Sequence, residues 1–163
     1  MTWETAFRLV NLAVVPVWLL MMLQPHWPIT RTMVRWAPVP MILSGLYTLL
    51  VAAHLDHTPG SYNSLLEVRQ MLFHKPVLLA AWTHFLAVDL FLGGWMFEEA
   101  ERLHMPHVQL ALCLFITFLI GPSGFAIFQL LRLRHRKAAA ESGRFGLGVG
   151  HHDGERGTGN GER

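Results

Sequence analysis

Two titratable side chains, His84 and Asp89, interrupt the apolar stretch of residues 76–97. Ionisable groups inside a bilayer are costly and face the bundle interior or a water-filled cavity, so these two are the first candidates for chemistry. If a helix enters the membrane at about Pro76, a rise of ~1.5 Å per residue puts His84 ~12 Å deep and Asp89 ~20 Å deep, on either side of the midplane of a ~30 Å core. Five residues amount to roughly 500° of helix rotation, so the side chains point about 140° apart and each needs its own partner. Asp89 shares a stripe with Trp82, Phe85 and Leu86, and His84 shares one with Val88 and Phe91. A carboxyl kept neutral by desolvation at such depth can carry a proton or serve as a structural donor.

The same depth arithmetic on the other apolar runs supplies partners. Asn11 falls near His84, and Ser44, Tyr47 and Gly121 fall at similar depth, giving a polar layer with a glycine gap where a ligand or another helix can approach. Asn11, Tyr47, Trp82 and Gly121 are therefore the candidate substrate-contacting residues, although such groups also serve as plain interhelical hydrogen bonds. No cofactor or metal is expected. His54 lies at a helix end and His84 ~10 Å deeper, so the two cannot face each other across one haem. Cys113 is the single cysteine, and His151-His152-Asp153 reads as a solvated pair in a glycine-rich tail.

The elements that must position these residues are transmembrane helices. Of the 163 residues 52% are hydrophobic and only 15% charged, too few charges to solvate a soluble domain of this size. Four spans are expected, at about residues 3–23, 36–54, 76–97 and 106–131. The first is read as a retained span, since no small-residue cleavage site follows it. Ser64-Leu65-Leu66-Glu67 spells a capping box and predicts an interfacial helix over residues 64–75. Gly121-Pro122-Ser123-Gly124 predicts a kink or tight contact in the fourth span. Glu98, Glu99, Glu101 and Arg102 read as a solvated continuation of the third helix, and Trp3, Trp27, Trp36 and Trp95 as interface anchors. Residues 1–137 thus form the four-helix transmembrane domain, and residues 138–163 a disordered glycine-rich tail. With an even span count, Arg8, Arg69, Lys75, Arg132, Arg134, Arg136 and Lys137 share one side against Arg31, Arg35 and Arg102, which puts both termini in the cytoplasm. The net charge of +2 and the basic residues after the last span suit a membrane surface rather than nucleic acid.

The string Ala81-Trp82-Thr83-His84-Phe85-Leu86-Ala87-Val88-Asp89-Leu90-Phe91-Leu92-Gly93-Gly94-Trp95 resembles the abscisic-acid-deficiency-four-like membrane proteins. The likeness extends to residues 11–18, to Ser64-Leu65-Leu66-Glu67-Val68 before Phe73, and to Gly121-Pro122-Ser123-Gly124, covering roughly residues 5–135. Two positions depart from the family's pattern: Phe85 stands where a tyrosine often follows the histidine, and Gly94 where an arginine is common. Plant members are plastid proteins needed to form the allenic carotenoid neoxanthin from the epoxide violaxanthin, and this chain looks like a bacterial-type member. The resemblance implies acid/base isomerisation of an epoxide on a carotenoid or other isoprenoid lipid, with His84 and Asp89 dividing the proton donor and base roles.

The reading from sequence is an all-α integral protein of four transmembrane helices, placed in a bacterial inner membrane. A membrane lipid or carotenoid-like molecule is its expected partner, a homo-oligomer stays open, and its activity would be neoxanthin-synthase-like isomerisation. Two alternatives stand beside it: a small transporter or binding protein using the intramembrane Asp89, and a structural membrane subunit.

Overall fold

The computed structural model describes residues 2–149, all of whose regular structure is helical. Helix α1 (Trp3–Leu23) starts at Thr2, whose hydroxyl accepts the Thr5 N–H at 3.2 Å and so caps one of the otherwise unpaired first-turn amides. Pro28 occupies the first turn of α2 (Pro28–Trp36), where a missing N–H costs nothing. The chain then breaks at Ala37, in the left-handed region (φ 43°), because Pro38 disfavours helical backbone in the residue before it, and α3 (Pro38–His54) begins. A 3-10 turn (Leu55–His57) leads to α4 (Leu65–Leu72), capped by Ser64 Oγ accepting the Glu67 N–H at 3.2 Å. The Glu67 carboxylate accepts the Ser61 hydroxyl, tying the loop to the helix.

The long helix α5 (Lys75–Arg102) is the axis of the molecule and packs against α1, α2, α3, α4, α6 and α7. It runs parallel to α1, with Phe7 beside Trp82 at one level and Trp18 on Gly93 further along. A methyl group at 93 would sit 2.7 Å from the Trp18 ring, so glycine is what lets the buried indole lie flat against α5. Helix α3 is antiparallel, bringing His54 to Trp3 and Tyr47 to His84. Val10, Val14, Met21, Met96, Phe97, Cys113, Leu114 and Phe128 fill the core between α1, α5 and the C-terminal helices.

The stretch expected as a fourth span, kinked or tightly packed at Gly121, folds as a helical hairpin. Helix α6 (His107–Ile120) starts where His107 Nε2 meets the Met22 carbonyl oxygen at 2.8 Å and descends to Gly121, beside Asp89. Helix α7 (Pro122–Val149) then climbs back along α5: Phe125 and Phe128 pack on Trp95, Arg132 reaches Glu99, and His135 bonds Gln109 across the hairpin at 3.0 Å. Gly121 has φ +58°, and Pro122 offers no N–H to continue α6, so the backbone reverses there rather than kinking. Fourteen residues make α6 only ~21 Å long. An uncharged sequence reads the same whether it runs straight or folds back, which is why hydropathy alone missed the turn.

Three further expectations change. Glu99 is not on a solvated face; it is 7% exposed and bonded to Arg132. Trp95, expected simply as an interface anchor, meets Phe125 and Phe128 edge-on within the hairpin contact. Helix α7 also continues to Val149 through part of the predicted disordered tail, since Ala138, Ala139, Ala140 and Glu141 are strong helix formers; residues 150–163 lie outside the described ones. Among the described residues three helical stretches are long and apolar enough to cross a membrane, residues 3–23, 28–57 (α2, α3 and the 3-10 turn) and 75–102, and α6 is a shorter apolar helix.

The hairpin depends on close approach at Gly124, where an added methyl would overlap the Thr117 side chain and the Cys113 carbonyl. Gly124→Ala is expected to lower stability in detergent by about 2 kcal/mol or more, the scale of overpacking. Gly45→Ala, on an open face of α3, is expected to be neutral or stabilising by up to about 1 kcal/mol, because it removes only a helix-weakening glycine. Thermal or denaturant unfolding of the two variants measures the contrast.

Candidate functional site

The six residues singled out from sequence do not form one layer; they fall into three pairs arranged around α5. Asn11 and Trp82 join α1 to α5, the indole N–H donating to Asn11 Oδ1 at 3.2 Å while Asn11 Nδ2 donates to the Phe7 carbonyl at 2.7 Å. Tyr47 and His84 join α3 to α5, with ring centroids 5.2 Å apart and planes inclined by 48°. Asp89 faces the turn between α6 and α7, where a methyl on Gly121 would come within 3.4 Å of Oδ2 and 3.6 Å of Oδ1. His84 and Asp89 therefore point at different neighbours, as their five-residue spacing requires.

The Tyr47–His84 pair lines a groove with both of its members. A groove of about 200 Å³ between α3, α4 and α5 is walled by Val51, Leu55, Met71, Val77 and Phe85, with Tyr47, Tyr62 and His84 as its polar members. His84 and Phe85 are exposed along it, and Phe85 packs edge-on to the imidazole at 6.1 Å. Helix α4 closes the end of the groove through Met71, which also packs on Gly60, a residue in the left-handed region (φ +107°). An apolar tunnel wall with two or three convergent polar groups is the usual composition of a small-molecule site.

The buried threonines have no such role. Thr83 and Thr117 give their hydroxyl protons to the carbonyls of Leu79 and Cys113 on their own helices, and Thr30 gives its proton to Gln24. Sequence reasoning missed Tyr62 and Met71 as groove residues, since only the docking of α4 onto α5 brings them there. It also missed the buried Glu99 and its partner Arg132, which reads in sequence as the flank of a span. Among the described residues no cluster of three or more His, Cys, Asp or Glu side chains is arranged to hold a metal ion.

Residues 5–128 match the ABA4-like (ABA DEFICIENT 4-like) family. The chain belongs to this family. The match takes in all three residue pairs and the turn at Gly121, and it ends within the first two turns of α7, before Arg132. Three apolar helices and this membership together fit a membrane protein. No curated protein and no solved structure matches the chain.

The Asn11–Trp82 hydrogen bond is separate from the groove and is expected to be structural. In a double-mutant cycle of Asn11→Ala and Trp82→Phe, the coupling energy should be about 0.6 kcal/mol, the average for interhelical polar contacts in membranes. Unfolding of the four proteins in detergent measures it.

Proposed function

We propose that this ABA4-like protein is an intramembrane isomerase that acts on a carotenoid or another isoprenoid lipid, and that its reacting groups lie in the groove between α3, α4 and α5. The observation that carries this reading is the contact of Tyr47 with His84 inside an apolar groove open at the protein surface. A long apolar substrate dissolved in the bilayer enters such a groove from the side, and its oxygenated end meets the phenol and the imidazole.

Opening an epoxide to an allenic alcohol breaks the C–O bond, puts a proton on the oxygen and takes one from carbon, with no net redox change. A neutral His84 removes the carbon-bound proton, and the Tyr47 hydroxyl protonates the epoxide oxygen. The imidazolium and phenolate that result are neighbours, so one proton transfer between them resets the site. Asp89, on the other side of α5, supports the turn at Gly121 in this scheme rather than sharing the reaction. A transporter is the second reading, and it rests on the position of Asp89 at the break between two helices, the kind of site where carboxylates carry protons or cations.

We further propose three spans followed by a hairpin that enters and leaves the membrane on the same side. That arrangement places Arg31, Arg35, Arg102, Arg132, Arg134, Arg136 and Lys137 together, opposite Arg8, Arg69 and Lys75. By the positive-inside rule the C-terminal face is then cytoplasmic and the N-terminus outside, in a bacterial inner membrane.

The test is expression in a host whose membranes accumulate an epoxy-carotenoid, with pigments resolved by chromatography and mass spectrometry. Wild type is expected to yield an isomer of unchanged mass. His84→Gln and Tyr47→Phe should fold at normal yield and lose on the order of 100-fold or more of that conversion, the scale of one general catalyst. Asp89→Asn should keep most of it. Full conversion by His84→Gln, or loss through Asp89→Asn alone, would overturn the proposed site, and no isomer from wild type would favour the transporter.

A further inference from the structure

A second cleft lies at the opposite side of α5 from the groove, between the first turns of α1 and the start of α5. It encloses about 330 Å³ and is walled by the rings of Trp3, Phe7 and Trp82, with Leu78 in its floor. Each ring is fixed from behind: Trp3 stands edge-on to His54 with centroids 5.7 Å apart, Phe7 leans on Trp82 at 5.6 Å, and the Trp82 N–H is bonded to Asn11. Two charges of opposite sign, Glu4 and Lys75, line the same cleft, both exposed, and no ion pair joins them. An opening between an unjoined carboxylate and ammonium, walled by aromatic rings, is complementary to a molecule that carries both charges itself.

We infer that this cleft binds the head group of a zwitterionic glycerophospholipid, with the phosphate at Lys75 and the ammonium between Glu4 and the faces of Trp3, Phe7 and Trp82. Ring faces attract cations, most strongly those of tryptophan, and a nearby carboxylate adds to that attraction. Trp3 and Lys75 stand in the first turns of two helices long and apolar enough to cross a membrane, the level at which head groups would begin, and the exposed Leu78 beside the cleft offers apolar surface to the acyl chains. An anionic head group would satisfy Lys75 but be repelled by Glu4, so the pair of charges selects as well as attracts.

Native mass spectrometry of the full-length protein in detergent, given equal amounts of dioleoyl phosphatidylethanolamine and dioleoyl phosphatidylglycerol, tests the site. Wild type is expected to retain one phosphatidylethanolamine with about tenfold preference, equivalent to a single favourable charge contact. Glu4→Lys should reverse the preference toward phosphatidylglycerol, and Lys75→Gln should weaken retention of both lipids. Arg136→Gln, far from the cleft, should change nothing. Equal retention of the two lipids by wild type, or a preference that Glu4→Lys leaves intact, would overturn the proposal. Since Glu4 and Lys75 are exposed and make no contact in the core, folding of the variants is expected to be normal and is checked by their thermal midpoints.

Discussion

The contact between Arg132 and Glu99 decides the shape of the C-terminal third of the protein. Glu99 is almost fully enclosed, and a carboxylate taken out of water needs a counter-charge and hydrogen bonds if it is to stay ionised. Arg132 supplies both: its Nε donates to Glu99 Oε1 at 2.7 Å, its Nη1 reaches Gln129 Oε1 at 3.2 Å, and its guanidinium lies 5.1 Å from the centre of the Trp95 ring. A helix that ran straight on from α6 would carry Arg132 to the far side of the molecule and leave Glu99 with only the longer contact to Arg102, 3.9 Å away one turn on. Chain reversal at Gly121 and pairing at Glu99 therefore require each other, and between them Phe125 and Phe128 close on Trp95.

From that constraint follows the position of Asp89. From Arg132 at Glu99 to the tip the returning arm matches the ten residues of α5, ~15 Å, between Glu99 and Asp89, so the tip arrives at the carboxylate. Glycine is needed at the tip for its positive φ, while a methyl there would make only ordinary contact with Asp89. The other face of α5 is independent of the hairpin: Tyr47 and His84 are set by α3, and the groove they line is finished by α4. One helix thus carries two separate polar centres, which fits a reaction confined to the His84 side and a structural or ion-linked role on the Asp89 side.

Much of this was legible in the sequence, and the failures share one cause. The apolar runs gave α1, α3 and α5, Ser64 gave the start of α4, and the 140° separation of His84 and Asp89 correctly implied different partners. Depth arithmetic placed Asn11, Tyr47 and Gly121 near the right levels, and each does touch α5, but depth carries no azimuth. It could not say that Asn11 meets Trp82 while Tyr47 meets His84. Direction was lost in the same way at Gly121-Pro122, where a kink and a reversal have the same composition. The only sequence clue to reversal was a glutamate, Glu99, one position from a solvated i,i+4 pattern, with an arginine able to meet it only if the chain turned back.

The sidedness of the termini tests the hairpin most directly. In a Cys113→Ser background, Thr2→Cys, His104→Cys and Lys137→Cys are labelled one at a time with a membrane-impermeant maleimide in sealed vesicles of known orientation. The hairpin predicts that positions 104 and 137 label from one side of the membrane and position 2 from the other. Labelling of positions 2 and 137 from the same side, with 104 opposite, would mean that the chain crosses at residues 106–131 and would contradict the account.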